Sequence, residues 1–247
     1  MTAVSKFKLK QGDIFVLLGV VLILVGFAPT FYLKPVFGAG KPLTSLILVH
    51  GITITAWIGV FLYQHFAASR GFLARHKEVG VAGAALFGLY IALSYVTVLG
   101  RTVAAASAPS GVEPLIRLAY PFWVITATLI FGLAAFVLVR RSNWHRHFQL
   151  ASFFILLAPA TARALRFVVE TGSVATFGSL LISLALYIGA TGLKDKGSSK
   201  VSRLALGIVG AYLLVTLFVF LSVNGATPWL HFASALTGYP VPETVLQ

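Results

Sequence analysis

Apolar residues run along this chain in long unbroken stretches, and polar residues are confined mostly to the gaps between them. Seven stretches, near 12–33, 43–68, 78–100, 116–139, 148–168, 172–193 and 202–224, each hold about 20 residues or more, the length an α-helix needs to cross a hydrocarbon core of about 30 Å. A spanning helix satisfies its own backbone N–H and C=O groups, whereas an open strand leaves them bare in lipid. The pattern therefore predicts an all-α, polytopic membrane bundle of seven transmembrane helices over 12–224. A basic segment (1–11) precedes it and a tail (225–247) follows. The first stretch comes after Lys6, Lys8 and Lys10, is longer than a signal-peptide core and lacks a small-x-small cleavage site, so it reads as a retained span. In the tail, Thr227-Pro228 reads as an N-cap with proline at the first helical position. The helix it opens carries Trp229, Leu230, Phe232 and Leu236 and stops at Gly238, as expected of an interfacial anchor or a lid.

Composition agrees with this picture. Hydrophobic residues make up 58% of the chain and charged ones 10%, where a soluble domain has about a quarter charged. The formal net charge of +13 lies in the gaps. It therefore reads as a topology signal and as contact with the lipid bilayer's anionic headgroups, with no nucleic acid partner. The N-terminus and the even-numbered connections hold Lys6, Lys8, Lys10, Arg70, Arg75, Lys77, Arg140, Arg141, Arg146, Lys194, Lys196, Lys200 and Arg203, against Lys34, Lys41, Arg101 and Arg117 on the other side. This bias predicts a cytoplasmic N-terminus, an external C-terminus and residence in the inner (plasma) membrane. The connections are short and imply antiparallel hairpins. The longest outer one, 101–115, contains the run AAASAPSG and is expected to be mobile. Gly80, Ala84 and Gly88 on span three, and Gly207 and Ala211 on span seven, have the spacing of close helix contacts. The chain has no cysteine, which excludes disulfides, thiolate metal sites and iron–sulfur clusters, and the spacing assigns no metal ligands.

The residues that break the apolar pattern are the candidate site. Span five carries Arg163 and Arg166 within its apolar run, and a charge at a span's centre costs roughly 2.5–3.5 kcal/mol on insertion scales. Both lie on one line of alternating three- and four-residue steps: Gln149, Ser152, Leu156, Pro159, Arg163, Arg166, Glu170. That face is expected to look into the bundle, with a bend at Pro159. Similar lines are His50, Thr53, Trp57, Val60, Gln64 on span two and Tyr90, Ser94, Thr97, Arg101 on span three, with Tyr120 and Trp123 on span four. A rise of 1.5 Å per residue puts His50 and Arg163 each about 7–8 Å outward of the midplane, with Ser94 and Tyr120 near that level. His50, Trp57, Tyr90, Ser94, Tyr120, Arg163 and Arg166 are therefore the candidate ligand-binding residues of an outer-leaflet layer. The ordinary alternatives are that Arg166 snorkels or pairs with Glu170, Arg163 caps carbonyls near Pro159, and His50 bonds a neighbouring helix. On the inner side, Gln64, His65, Arg75, His76, His145, Arg146 and His147 form a basic and histidine-rich set. This set suits anionic headgroups, with metal or haem ligation and proton relay as sharper readings. Arg75-His76 enters span three as Arg146-His147 enters span five, a weak internal repeat.

Several chemistries are disfavoured. No acid sits in mid-span, which argues against a carboxylate-driven pump and di-iron chemistry. No lysine lies in the seventh span for a retinal Schiff base, and there is no nucleotide-loop or zincin motif. A membrane haem needs two axial ligands. His50 has no histidine at its level other than His231 in the tail, and an inner pair of His65 with His145 or His147 would sit at helix ends. The stretch His50, Trp57, Gln64, Arg70 and His76-Lys77-Glu78-Val79-Gly80 resembles a pattern in an uncharacterised family of bacterial polytopic membrane proteins of about seven helices. There, a histidine-containing helix is followed by Gln, Arg and a His-Arg-x-x-Gly loop, and Lys77 stands here in the arginine's place. The resemblance covers about two helices and implies a multi-pass bacterial membrane protein with no activity attached. Two functions follow from the residues: binding of an amphiphile (quinone, lipid headgroup or haem), with or without redox chemistry, or a non-catalytic accessory or assembly subunit that contacts a membrane-protein partner. A small-solute permease comes third, because inverted repeats and mid-span acids are absent.

Overall fold

A computed structural model describes residues 8–38, 42–105 and 111–241. Its helices are α1 (Gln11–Phe27), α2 (Lys34–Phe37), α3 (Ser45–Ser69), α4 (Leu73–Ala105), α5 (Glu113–Val137), α6 (Ser142–Leu156), α7 (Ala158–Leu165), α8 (Gly172–Thr191), α9 (Arg203–Val223) and α10 (Thr227–Thr237). A π-helical turn, Ala28–Tyr32, prolongs α1. Pro29 in that turn has no N–H to donate, and the Leu33 N–H reaches back to the Ala28 carbonyl at 2.7 Å. Among the described residues there is no strand, and seven helical segments are long and apolar enough to cross a membrane, α6 and α7 together forming the fifth. The protein is an integral, multi-pass helical membrane bundle. Its two faces are called here the N-side, where α1 begins, and the C-side, where α9 ends. The run AAASAPSG lies mostly outside the described residues.

The fifth span is the axis of the bundle. α1, α5, α8 and α9 pack around it, and Phe153, Phe154, Ile155, Leu157 and Ala158 are completely buried. It breaks where Pro159 removes a donor: Leu157 bonds to Phe154 with a three-residue step at 3.1 Å, and α7 restarts at Ala158. Because apolar residues bury this helix on every side, the polar line is not what turns inward. Ser152 alone of that line is fully buried. Gln149, Leu156, Pro159 and Arg163 are half-buried, while Arg166 and Glu170 are exposed. The expectation that the polar face fills the bundle interior is thereby corrected.

Lipid gives no hydrophobic drive between spans, so close packing must hold them together. The closest approaches do not fall on the sequence-predicted lines, since a Cβ at Gly88 or Gly207 would meet nothing within 4 Å. They fall at Gly26, where a Cβ would overlap the Ala160 carbonyl, at Gly132 against the Phe87 ring, and at Gly189 against Phe15. Aromatic stacking ties α3 to the axis: Phe61 lies on Phe153 at 4.1 Å between centroids, with Trp57 on Phe61 at 5.7 Å.

The tail helix α10 starts one residue before the predicted position, with Ala226 at the N-cap, and ends at Gly238, whose φ of 68° suits glycine. Trp229, Leu230 and Ala233 are buried against Leu115, Leu118 and Ala119 of α5, and the Trp229 indole donates to the Leu115 carbonyl at 2.9 Å. Phe232 and Leu236 are the exposed pair. α10 therefore docks on the bundle itself. Trp229→Ala removes a buried aromatic, a change that costs about 3–5 kcal/mol in soluble cores. The expected outcome is a detached α10: added protease cleaves near residues 225–241 in the variant while the bundle's thermal midpoint stays close to wild type.

Candidate functional site

Four of the proposed C-side residues converge. The π-turn carries the end of the first span across the start of α3, and the Phe31 ring lies on Gly51, where a Cβ would collide with it. His50, one residue before that contact, sits within electrostatic range of Arg163 on α7. Tyr120 on α5 senses both Arg163 and Arg166. Among the described residues the cations that act electrostatically on Arg163 are Arg101, at the C-terminal end of α4, and Arg166, and no carboxylate does. The Arg163 guanidinium lies over the Phe27 ring, 4.5 Å from its centroid, and donates to the Pro159 carbonyl at 3.0 Å. The expected alternative of carbonyl capping thus occurs, but one bond uses only one of the five guanidinium donors. Among the described residues Arg166 forms no ion pair with Glu170; the arginine–carboxylate bridge is Arg117–Glu113, at 2.7 Å.

Two polar atoms in this region are orphaned. His50 Nδ1 and Thr161 Oγ1 are buried without a hydrogen-bond partner. Beside the π-turn an open cavity of about 570 Å³ is lined by Phe31, Tyr32, Lys34, Pro35, Gly38, Pro42 and Leu43, an apolar trough with a cation at its rim. Ser179 on α8, which sequence reasoning missed, accepts or donates at 2.7 Å with the Tyr120 hydroxyl and fixes that ring.

The other three candidates stand apart. Trp57 and Tyr90 face each other at 5.1 Å in an aromatic core with Phe61 and Phe87, and Ser94 spends its hydroxyl on the Tyr90 carbonyl at 2.7 Å. The Tyr90 hydroxyl is buried and unpartnered.

The N-side set is not one cluster but three. His65 Nε2 meets Asp13 Oδ1 at 2.9 Å, and the Lys10 backbone N–H donates to Asp13 Oδ2 at 3.0 Å. His147 is wholly buried; its Nδ1 bonds the Tyr187 hydroxyl at 2.9 Å and its Nε2 stands 3.6 Å from Asp195 Oδ1, while Arg146 donates to the Ala190 carbonyl at 3.4 Å. His76 and His145 meet ring to ring at 6.0 Å, and this is the only His–His ring contact among the described residues. Arg75 instead lines an open cavity of about 420 Å³ with Tyr63, Phe66, Ala67, Arg70 and Phe72. Gln64 is beside His76, its backbone carbonyl accepting from His76 Nδ1 at 3.3 Å. Sequence reasoning missed Asp13, Tyr187 and Asp195. For Asp13 the signal was an acid three residues past Lys10, at the start of an apolar span, where a helix N-terminus favours one.

Compared with protein-family models, curated proteins and solved structures, the chain matches none.

Proposed function

We propose that this protein binds an anionic amphiphile at the C-side layer, with Arg163 as its central ligand and His50, Tyr120, Arg101 and Arg166 around it. The observation that carries the reading is that three guanidiniums act on one another with no carboxylate acting on Arg163 among the described residues. Like charges in a region of low dielectric repel, and an anion between them reverses the sign. A planar guanidinium fork matches a phosphate or carboxylate headgroup, and the apolar trough beside the π-turn, on the same side of the bundle, suits a hydrocarbon chain. A phosphate-bearing lipid fits better than a neutral quinone, which would leave the charges uncompensated, and haem would engage the same arginines through its propionates. By the positive-inside rule the N-side faces the cytoplasm of an inner (plasma) membrane, and impermeant labelling of single cysteines on each face tests this.

Arg163→Ala is expected to lower the ligand that co-purifies under gentle extraction at least fivefold, with the thermal midpoint little changed. Arg163→Lys keeps the charge but loses the fork and should fall between the two. Phosphorus, quinone and haem assays on the same extract identify the class. If ligand content is unchanged in Arg163→Ala, or wild type carries none, the accessory-subunit reading replaces this one.

A further inference from the structure

We propose that His76 and His145 form a two-coordinate site for a monovalent copper ion at the N-side mouth of the bundle, on the face opposite the arginine layer. The two residues occupy the first turns of α4 and α6 and are half-buried, so their rings are held by packing yet remain reachable. His145 Nδ1 bonds the Ala135 carbonyl at 2.8 Å, as His76 Nδ1 bonds that of Gln64. A carbonyl oxygen only accepts, so each Nδ1 carries the proton and each Nε2 keeps its lone pair. Metal-bound histidines are held in this way, with one ring nitrogen tied to a carbonyl and the other free to ligate.

The ring separation leaves room for an ion shared between the two imidazoles. With each Nε2 about 2.0 Å from a shared ion, ring centroids lie roughly 5 Å apart in a tetrahedral arrangement and roughly 6.4 Å apart in a linear one. The observed separation is 6.0 Å with the ring planes at 83°, a distance nearer the linear value. The count of donors points the same way. Among the described residues no group of three or more His, Cys, Asp or Glu is placed to hold a metal. Zinc, which takes four ligands, is poorly served by two imidazoles, whereas a filled-shell Cu(I) ion is satisfied by two, and imidazole is a suitable copper ligand.

Gln64 is an independent sign that this corner holds more than protein. Both atoms of its side-chain amide are buried without a partner, and the amide nitrogen would lie 3.7 Å from a Cβ at Gly80, one turn along α4 from His76. Leaving both atoms unsatisfied is costly.

The experiment is an anaerobic titration of the purified, full-length protein in detergent with Cu(I), in competition with a chromogenic Cu(I) chelator. Wild type is expected to withdraw one equivalent. His76→Asn and His145→Asn keep an amide donor for the backbone carbonyl but lack the ligating nitrogen, so each should weaken binding at least tenfold while the thermal midpoint holds. His65→Asn, whose ring is committed to Asp13, should leave the equivalent in place. Copper X-ray absorption on the loaded protein should show two nitrogen neighbours. The proposal is overturned if wild type takes up no Cu(I), or if the equivalent survives both substitutions. It is equally overturned if Zn(II) binds with the same stoichiometry and the same losses, or if added haem gives a Soret band that the two substitutions abolish while Cu(I) is ignored.

Discussion

Gly26→Val is expected to leave almost no folded, monodisperse protein after detergent extraction, whereas Gly88→Ala is recovered at wild-type yield with an unchanged or slightly raised thermal midpoint. The two glycines lie in apolar spans and differ in what stands opposite them. At Gly26 the first side-chain atom would occupy the space of the Ala160 carbonyl, with the Ala160 Cα at 3.0 Å behind it. That obstacle is backbone. It belongs to α7, which α1 and α8 hold between them, and α7 has no long side chain at this point to swing aside. Overpacking a core typically costs 1–3 kcal/mol when side chains can yield, so a backbone collision belongs at about 3 kcal/mol or above. A protein with a typical stability of about 5–15 kcal/mol loses a large share of it. The shift would also carry Phe27 away from Arg163, so any residual folded Gly26→Val should bind less amphiphile. At Gly88 nothing lies within 4 Å, and alanine is favoured over glycine in a helix by about 1 kcal/mol. Equal yields for the two variants would show that α1 and α7 are not in this contact.

That pair also shows where a one-dimensional pattern stops. Span length and hydropathy are properties of consecutive residues, so the seven crossings were legible, as was the break at Pro159, which follows from a missing donor. The convergence of His50, Tyr120, Arg163 and Arg166 was legible in part, because depth follows from counting residues along spans of known direction. Rotation does not follow from counting. Gly80 and Gly88 have the spacing of a contact line, yet the tight approaches are at glycines such as Gly26, Gly132 and Gly189, because the facing element decides which glycine is needed. Trp57 and Tyr90 sit on the same polar lines as His50 and Ser94, but an aromatic ring at helical spacing serves a core as well as a ligand, and here it serves the core. The polar line of span five misled for a physical reason. Periodicity locates the buried face of a peripheral helix, and a helix surrounded on all sides has no such face. The histidine groups on the N-side depend on pairings far apart in sequence, such as His65 with Asp13 across 52 residues.

Asp13→Ala is expected to lower stability by about 3 kcal/mol or more, and Asp13→Asn by roughly half as much, read as shifts in the midpoint of detergent-induced unfolding. Asp13 is 2% exposed and serves two donors at once. One is the Lys10 backbone N–H, an orphan donor at the start of α1, and the other is His65 Nε2. A carboxylate only accepts, so Nε2–H points at Oδ1 and the pair joins α1 to α3. Lys10 adds a second tie between the same segments, its ammonium donating to the Ser69 carbonyl at 2.7 Å. Alanine strands both donors in a region with little water. Asparagine keeps an acceptor for the Lys10 N–H, and its amide N–H can face the imidazole once His65 shifts its proton to Nδ1. The charge-assisted part of the bond is lost, and the geometry is kept. The two substitutions therefore separate the loss of the charge from the loss of the acceptor. His65→Leu combined with Asp13→Asn completes a double-mutant cycle, and a coupling of about 1 kcal/mol or more is expected for groups in direct contact. A coupling near zero, with Asp13→Ala still clearly worse than Asp13→Asn, would reduce Asp13 to a cap and leave α3 held to α1 by packing and the Lys10–Ser69 bond.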